Sequence, residues 1–159
     1  MKDRYKTAKV FAEEVFDLGY EFKEVDYENT EKIKILAEWE FMGIKFKIVM
    51  YNRWVPCAYI RIPDDCKEVI WTLKTQGYDY VPKSTVNWWF TFGRLLEEWN
   101  ERGFEEWWWL GWDYGHCDDY ADYMKDVSFA DKLKKWTTKE ILVEVFEQII
   151  IFYDEWVLY

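Results

Sequence analysis

Residues 33–50 read IKILAEWEFMGIKFKIVM. Ile33, Ile35, Ala37, Trp39 and Phe41 alternate with mostly polar residues, Met42-Gly43 interrupts, and Ile44, Phe46, Ile48 and Met50 resume the period of two. Successive strand side chains point to opposite faces, so each run predicts a half-buried strand, and the Gly-containing pair between them predicts a β-hairpin. Trp39 and Phe46 fall on its apolar face. Lys34, Glu38, Glu40, Lys45 and Lys47 give the other face the mixed charge of a strand surface turned to water.

The flanks extend this pattern. Pro56 breaks the next apolar run, but Ala58, Ile60 and Ile62 alternate with Tyr59 and Arg61 as far as Pro63, predicting a third strand that stops at a proline. Asp64 can cap a short helix to about Gln76, with Val69, Ile70 and Leu73 inward and Gly77 as its stop. Upstream, Tyr5, Ala8, Phe11, Ala12, Val15 and Phe16 stand at helical spacing within residues 4–18, and Gly19 can end that helix. Downstream, Thr137 and Glu140 fit a capping box. Ile141, Val145, Ile149, Phe152 and Trp156 follow along one helical face, widened by Ile150 and Ile151. Between them the Trp-rich segments 86–92 and 107–113 read as the last two strands, and RLLEEWNERG, residues 94–103, as one or two helical turns closed by Gly103. This order predicts an α+β fold: a mostly antiparallel sheet of about five strands with flanking N- and C-terminal helices, residues 1–159 forming one domain.

Composition narrows the function classes. A chain that is 50% hydrophobic and 33% charged has the balance of a globular protein. Its 22% aromatic content, with 12 Trp, 12 Tyr and 11 Phe, points to an aromatic core, an adhesive face or both, and leaves homo-oligomers open. A formal charge of −10 repels phosphate backbones, and no segment gathers a Lys/Arg stripe, so no direct nucleic-acid partner is expected. Such a protein can instead fill a basic groove on a nucleic-acid-binding partner. Cys57, Cys66 and Cys117 are scattered, with no C-x-x-C, which indicates neither a disulfide framework nor a zinc site. No apolar run has membrane-spanning length and the N-terminus is interspersed with acids, so a cytoplasmic location without membrane partners is expected.

One stretch concentrates chemistry. Residues 107–120, WWWLGWDYGHCDDY, hold the only histidine, His116, beside Asp113, Asp118 and Asp119, where an aromatic strand runs into a loop. Between Glu101 and Asp126 there are eight acids and two bases. Asp oxygens and a neutral imidazole suit a divalent metal, which would fall to Asp113, His116, Asp118 and Asp119, although the spacing matches no specific metal motif. His116 with an Asp could form a general acid/base pair, but no nucleophile is evident, and Cys117, adjacent in sequence, points away. A plainer reading has Asp113 capping the loop, His116 satisfying backbone groups, and Asp118 and Asp119 solvated. A fourth is a ligand or partner site in which Trp faces stack and acids orient. Trp88, Trp89, Trp107, Trp108, Trp109 and Trp112 cannot all face inward, because adjacent strand residues face opposite sides. Some occupy the second face, where cover by flanking helices is favoured over an exposed patch.

Residues 37–155 also resemble a family of small, functionally uncharacterised phage and prophage proteins. The likeness rests on a hairpin followed by AYIRIP, residues 58–63, similar to the family's G-Y-V-x-V-P. Tyr78-Asp79-Tyr80 and VNWWFTF, residues 86–92, stand where the family has V-H-G-G-x-T-(F/Y). LGWDYGHCDD, residues 110–119, resembles G-(F/W)-D-x-x-H-x-G-D, with Gly111, Trp112, Asp113, His116 and an acid at Asp118 or Asp119. Asn87, Trp88 and Trp89 replace H-G-G, and Asp118 stands where a glycine is usual, so half of any two-histidine family site is missing. The resemblance implies a mobile-element accessory protein acting in the host cytoplasm, an anti-defence protein working by occupation. It would sequester a small nucleotide-like ligand or block a host defence protein, through Trp112, Asp113, His116, Asp118, Asp119, Trp88, Trp89 and Trp108. No cofactor is expected. The alternatives are a metal-dependent hydrolase built on the Asp/His cluster, and an acidic protein that blocks a nucleic-acid-binding groove.

Overall fold

A computed structural model describes residues 4–18, 21–81, 90–116 and 118–157, with side chains as far as Asp154. The hairpin forms as its pattern requires: β1 (Ile33–Phe41) pairs antiparallel with β2 (Ile44–Tyr51), and Trp39 lies opposite Phe46. Met42 and Gly43 make the turn, both with positive φ (53° and 80°), the conformation whose twist matches that of the flanking strands. The alternation breaks once. A bulge between Ile35 and Ala37 sends Leu36 inward with Ala37. The extra residue reverses parity, so Ile33 and Ile35, expected on the buried face, lie on the opposite one, 52% and 43% exposed.

β3 (Pro56–Ile62) adds to β2, β5 (Gly103–Asp113) adds to β3, and β4 (Phe92–Asn100) to β5, giving an antiparallel sheet in the order β1-β2-β3-β5-β4. The helical turns expected over residues 94–103 are instead strand and turn. Leu95, Leu96 and Trp99 are spaced like a helix face, but Leu95 lies opposite Trp108, Leu96 opposite Trp107 and Trp99 opposite Phe104. Cross-strand aromatic pairing outweighs a weak local helix preference. Gly103, at φ 113°, closes a hairpin and not a helix. Of the strand expected at 86–92, residues 86–89 lie outside the described residues, and β4 begins at Phe92.

α1 (Arg4–Asp17), α2 (Lys67–Thr75) and α3 (Thr138–Ile151) complete the fold. Cys66 and not Asp64 occupies the N-cap position of the short helix, without a side-chain capping hydrogen bond, and Asp64 sits in the preceding turn. α3 begins with the expected capping box, Thr137 accepting from the Glu140 amide while Glu140 reaches back to the Thr137 amide. It is buried along nearly its whole length because β1, β2 and β3 lie on one side and α1, through Ala8 and Ala12, on the other. Phe146 of α3 stacks on Phe41 at 3.9 Å and meets Phe46 edge-on at 5.7 Å. α2 covers the same side of the sheet near β4, where Leu73 packs on Gly93.

The helices therefore share one face, which carries Phe46, Ile48, Ile60, Leu110 and Trp112. The expectation that helices also cover the second face is not met among the described residues. α1 stacks on α3 and does not cross the sheet; on the second face Val49 and Cys57 are buried at one end against Val55, Ala121 and Met124, while Ile35, Tyr59, Trp107, Trp109, Phe92 and Leu96 line a part that no described helix covers. The six Trp readings divide accordingly: Trp108 and Trp112 turn toward the helices, Trp107 and Trp109 away, and Trp88 and Trp89 lie outside the described residues. No described helix is long and apolar enough to cross a membrane.

Candidate functional site

The loop after β5 holds the residues singled out by sequence. Trp112 and Tyr114 stand two apart and both turn to the helix side, where each is fully buried. The Trp112 indole N–H donates to the Tyr114 hydroxyl (2.9 Å), which donates to Glu144 Oε1 on α3 (2.8 Å). Burial pushes the Glu144 carboxyl up to about 8; nearby Glu147 and Asp119 push the same way, and the Tyr114 hydrogen bond and Lys134 oppose. Burial likewise holds the Tyr114 hydroxyl well above its ordinary value. Trp112 is thus a core residue tied into a buried polar chain, and its ring has no free face for a ligand.

Asp113 accepts the Gly115 amide at 3.0 Å, closing a local turn, and its Oδ1 lies 3.8 Å from His116 Nε2. Asp119 is not solvated, as the plain reading had it, but buried: it accepts the His116 amide at 3.1 Å and the Trp136 indole N–H at 2.8 Å. Two donors converge on this carboxylate, which offsets the cost of taking it out of water. Asp118 is exposed, and Trp108 is half-buried against the core. Trp88, Trp89 and Cys117 lie outside the described residues. The structure brings Asp113 beside His116 and ties His116 to Asp119 through its backbone, while the Asp118 side chain is exposed. Among the described residues, no three His, Cys, Asp or Glu side chains converge as a metal-binding set.

The open sheet face offers more. The sheet curls enough for its two edge strands to line one groove of about 340 Å³. Ile33 and Ile35 come from β1, Val49 and Tyr51 from β2, Tyr59 from β3, Trp109 from β5, and Phe92 and Leu96 from β4. Trp109 forms the floor, only 5% exposed. Its indole N–H donates to Glu98 Oε1 at 2.8 Å, and Lys47 lies over its ring at 5.2 Å. Glu98 Oε2 in turn accepts from Arg61 at 3.3 Å, and the Arg61 guanidinium stacks on Trp107 at 3.9 Å. This arrangement fixes the aromatic walls with satisfied polar groups. Gly111 has a specific part here: a Cβ on it would lie 2.5 Å from the Tyr59 ring, so the missing side chain is what lets Tyr59 lie against the sheet and meet Phe92 edge-on at 5.3 Å. The Tyr51 and Tyr59 hydroxyls are 3.1 Å apart at one end.

Sequence reasoning missed this groove. Lys47 and Arg61 read as ordinary outward charges, and Ile33 and Ile35 as core. The available signal was that Val49, Tyr59 and Trp109 occupy positions that alternation assigns to the outward face. No protein-family model matches this chain, and no curated protein or solved structure matches it.

Proposed function

We propose that this is a non-catalytic binding protein of a phage or other mobile element, an anti-defence accessory that sequesters a small nucleotide-like ligand in the groove of the open sheet face. The groove carries the reading. Its volume suits a small molecule, and its walls are apolar and aromatic with few polar groups, as ligand sites generally are. A flat ring can lie among Phe92, Tyr59 and Leu96, while Lys47 and Arg94 on the same face supply cations for phosphate. The mobile-element setting rests on the resemblance of residues 110–119 to phage proteins. Binding is favoured over catalysis because, of the two acidic residues at the groove, Glu98 is held by Trp109 and Arg61, and Glu97 alternates toward the other face of β4, opposite Glu106.

The test is a thermal-shift panel of linear and cyclic purine and pyrimidine nucleotides against the native chain and Ile35→Trp. Ile35 is exposed on the groove rim, so the larger ring fills the groove without disturbing the core. A bound nucleotide at about 100 times its Kd stabilises the native state by about 2.7 kcal/mol and raises the melting temperature. Ile35→Trp should keep its own melting temperature and lose that rise. If no nucleotide shifts the native chain, or Ile35→Trp responds equally, the reading fails.

A further inference from the structure

The two edges of the sheet are not alike. Along β1, the bulge at Leu36 breaks the run of backbone groups, and the Lys23 amide already donates to the Leu36 carbonyl at 2.7 Å. β4 has neither device. It runs nine residues, FGRLLEEWN, without proline, lysine or a bulge against β5, and among the described residues it pairs with β5 alone. Natural sheets blunt such edges; the three charges of β4, Arg94, Glu97 and Glu98, are of mixed sign, so they restrict the register of an added strand without barring it. Leu95, Leu96 and Trp99 are exposed on it, Trp99 by 76%.

The orientation of the free groups follows from the β5 pairing. The hairpin closes with Asn100 opposite Gly103 across two turn residues, so that pair and every second one before it exchange amides across the ladder. The amides and carbonyls of Gly93, Leu95, Glu97 and Trp99 therefore point outward. We propose that β4 of one chain pairs antiparallel with β4 of a second copy, about a two-fold axis at Leu96.

Charge selects this register. Centred on Leu96, the pairing puts Arg94 opposite Glu98 twice, Leu96 opposite Leu96, and Gly93 opposite Trp99. A centre at Arg94, Glu97 or Glu98 would oppose like charges, and a centre at Leu95 pairs no charges at all. The outward groups of Gly93 and Trp99, and of Leu95 and Glu97, then exchange hydrogen bonds. Arg94, Leu96 and Glu98 fall in the intervening pairs, where side chains approach most closely. Trp99 gains the partner's Gly93 edge, beside Leu73 and Tyr78, as cover. Leu96 also lines the groove, so pairing brings the two open faces side by side.

Sedimentation of the full chain at tens of micromolar should give a species of about 39 kDa, twice the chain's 19.7 kDa. Leu95→Pro removes an outward amide while sparing the β5 ladder, and should weaken association at least about tenfold with the far-UV spectrum unchanged. The register has its own test. Leu96→Cys should oxidise to a disulfide-linked dimer, because a two-fold pair brings the two thiols together. With Cys117 replaced by serine throughout and Cys57 and Cys66 buried, Glu97→Cys, opposite Leu95, should not, and neither should the chain without an added cysteine. A monomer at these concentrations overturns the proposal. So does a dimer that Leu95→Pro leaves intact, or one that Leu96→Cys fails to cross-link.

Discussion

Asp113 and Asp119 belong to the same short motif, yet their surroundings give them different work. Asp119 is buried and holds two donors, one from the loop backbone and one from Trp136, so it fastens the loop to the approach of α3. Asp119→Ala leaves those donors unsatisfied and should cost about 1 to 3 kcal/mol in urea unfolding. Asp113 is partly exposed and serves one local turn, so Asp113→Ala should change stability by about 0.5 kcal/mol or less in the same experiment. Equal losses would mean that the loop is held differently from the hydrogen bonds described.

Single core side chains are just as informative. Phe46 is fully buried, opposite Trp39 and edge-on to Phe146. Phe46→Ala should cost about 3 to 5 kcal/mol, the usual range for removing a buried aromatic ring. A loss below about 1 kcal/mol would mean that the hairpin register is off by one residue, which turns Phe46 to the open face.

Among the elements, α3 depends most on its first turn. It enters the core between sheet and α1, and side chains satisfy its first-turn amides: the capping box serves Thr137 and Glu140, and Glu24 accepts from Thr138. Thr137→Ala should therefore lower stability by about 1 kcal/mol, read as a lower urea midpoint at unchanged slope. A changed slope would point to loss of two-state unfolding instead. The β4–β5 hairpin is the opposite case. Its outer half extends past the last β3 pairing at Ile62 opposite Trp108, and it is held by cross-strand contacts such as Trp99 with Phe104 at 5.3 Å. An element so thinly covered owes its strand form to its partner strand, which explains why residues 94–103 read as helix when taken alone.

At the scale of the molecule, two carboxylates of α3, one buried and one partly exposed, shape the pH response. Glu144 is raised to about 8 by burial, so the folded chain binds its proton more tightly than the unfolded chain does. That contribution is complete below about 4.5 and is lost as pH rises from there to about 8, where the folded-state carboxyl itself ionises. Glu140 runs the other way. Burial raises it, but Lys134 and the Thr137 amide outweigh burial and lower it, so its contribution is present at neutral pH and lost in acid. Chemical denaturation across pH 4 to 9 should therefore show stability falling on the alkaline side, and Glu144→Gln should flatten that fall while leaving the acid limb in place. A native chain as stable at pH 9 as at pH 5.5 would contradict the buried Tyr114–Glu144 chain.

What the amino-acid sequence determined by itself was set by short-range physics. The hairpin at 33–51, the strand ending at Pro63, the capped α3 and the α+β class follow from periods of two and 3.6 and from turn and cap chemistry, all of which act within a few residues. The tertiary structure alone decided which face each aromatic serves. A one-residue bulge at Leu36 moved Ile33 and Ile35 from the core to the groove. Gly111 and Trp112, read together as one binding motif, separated to opposite faces, Gly111 beneath Tyr59 and Trp112 into the core. Asp119 became a buried acceptor because Trp136, distant in sequence, folds back onto it. Parity, curl and the stacking of α1 on α3 depend on contacts between segments far apart in the chain, and no local pattern encodes them.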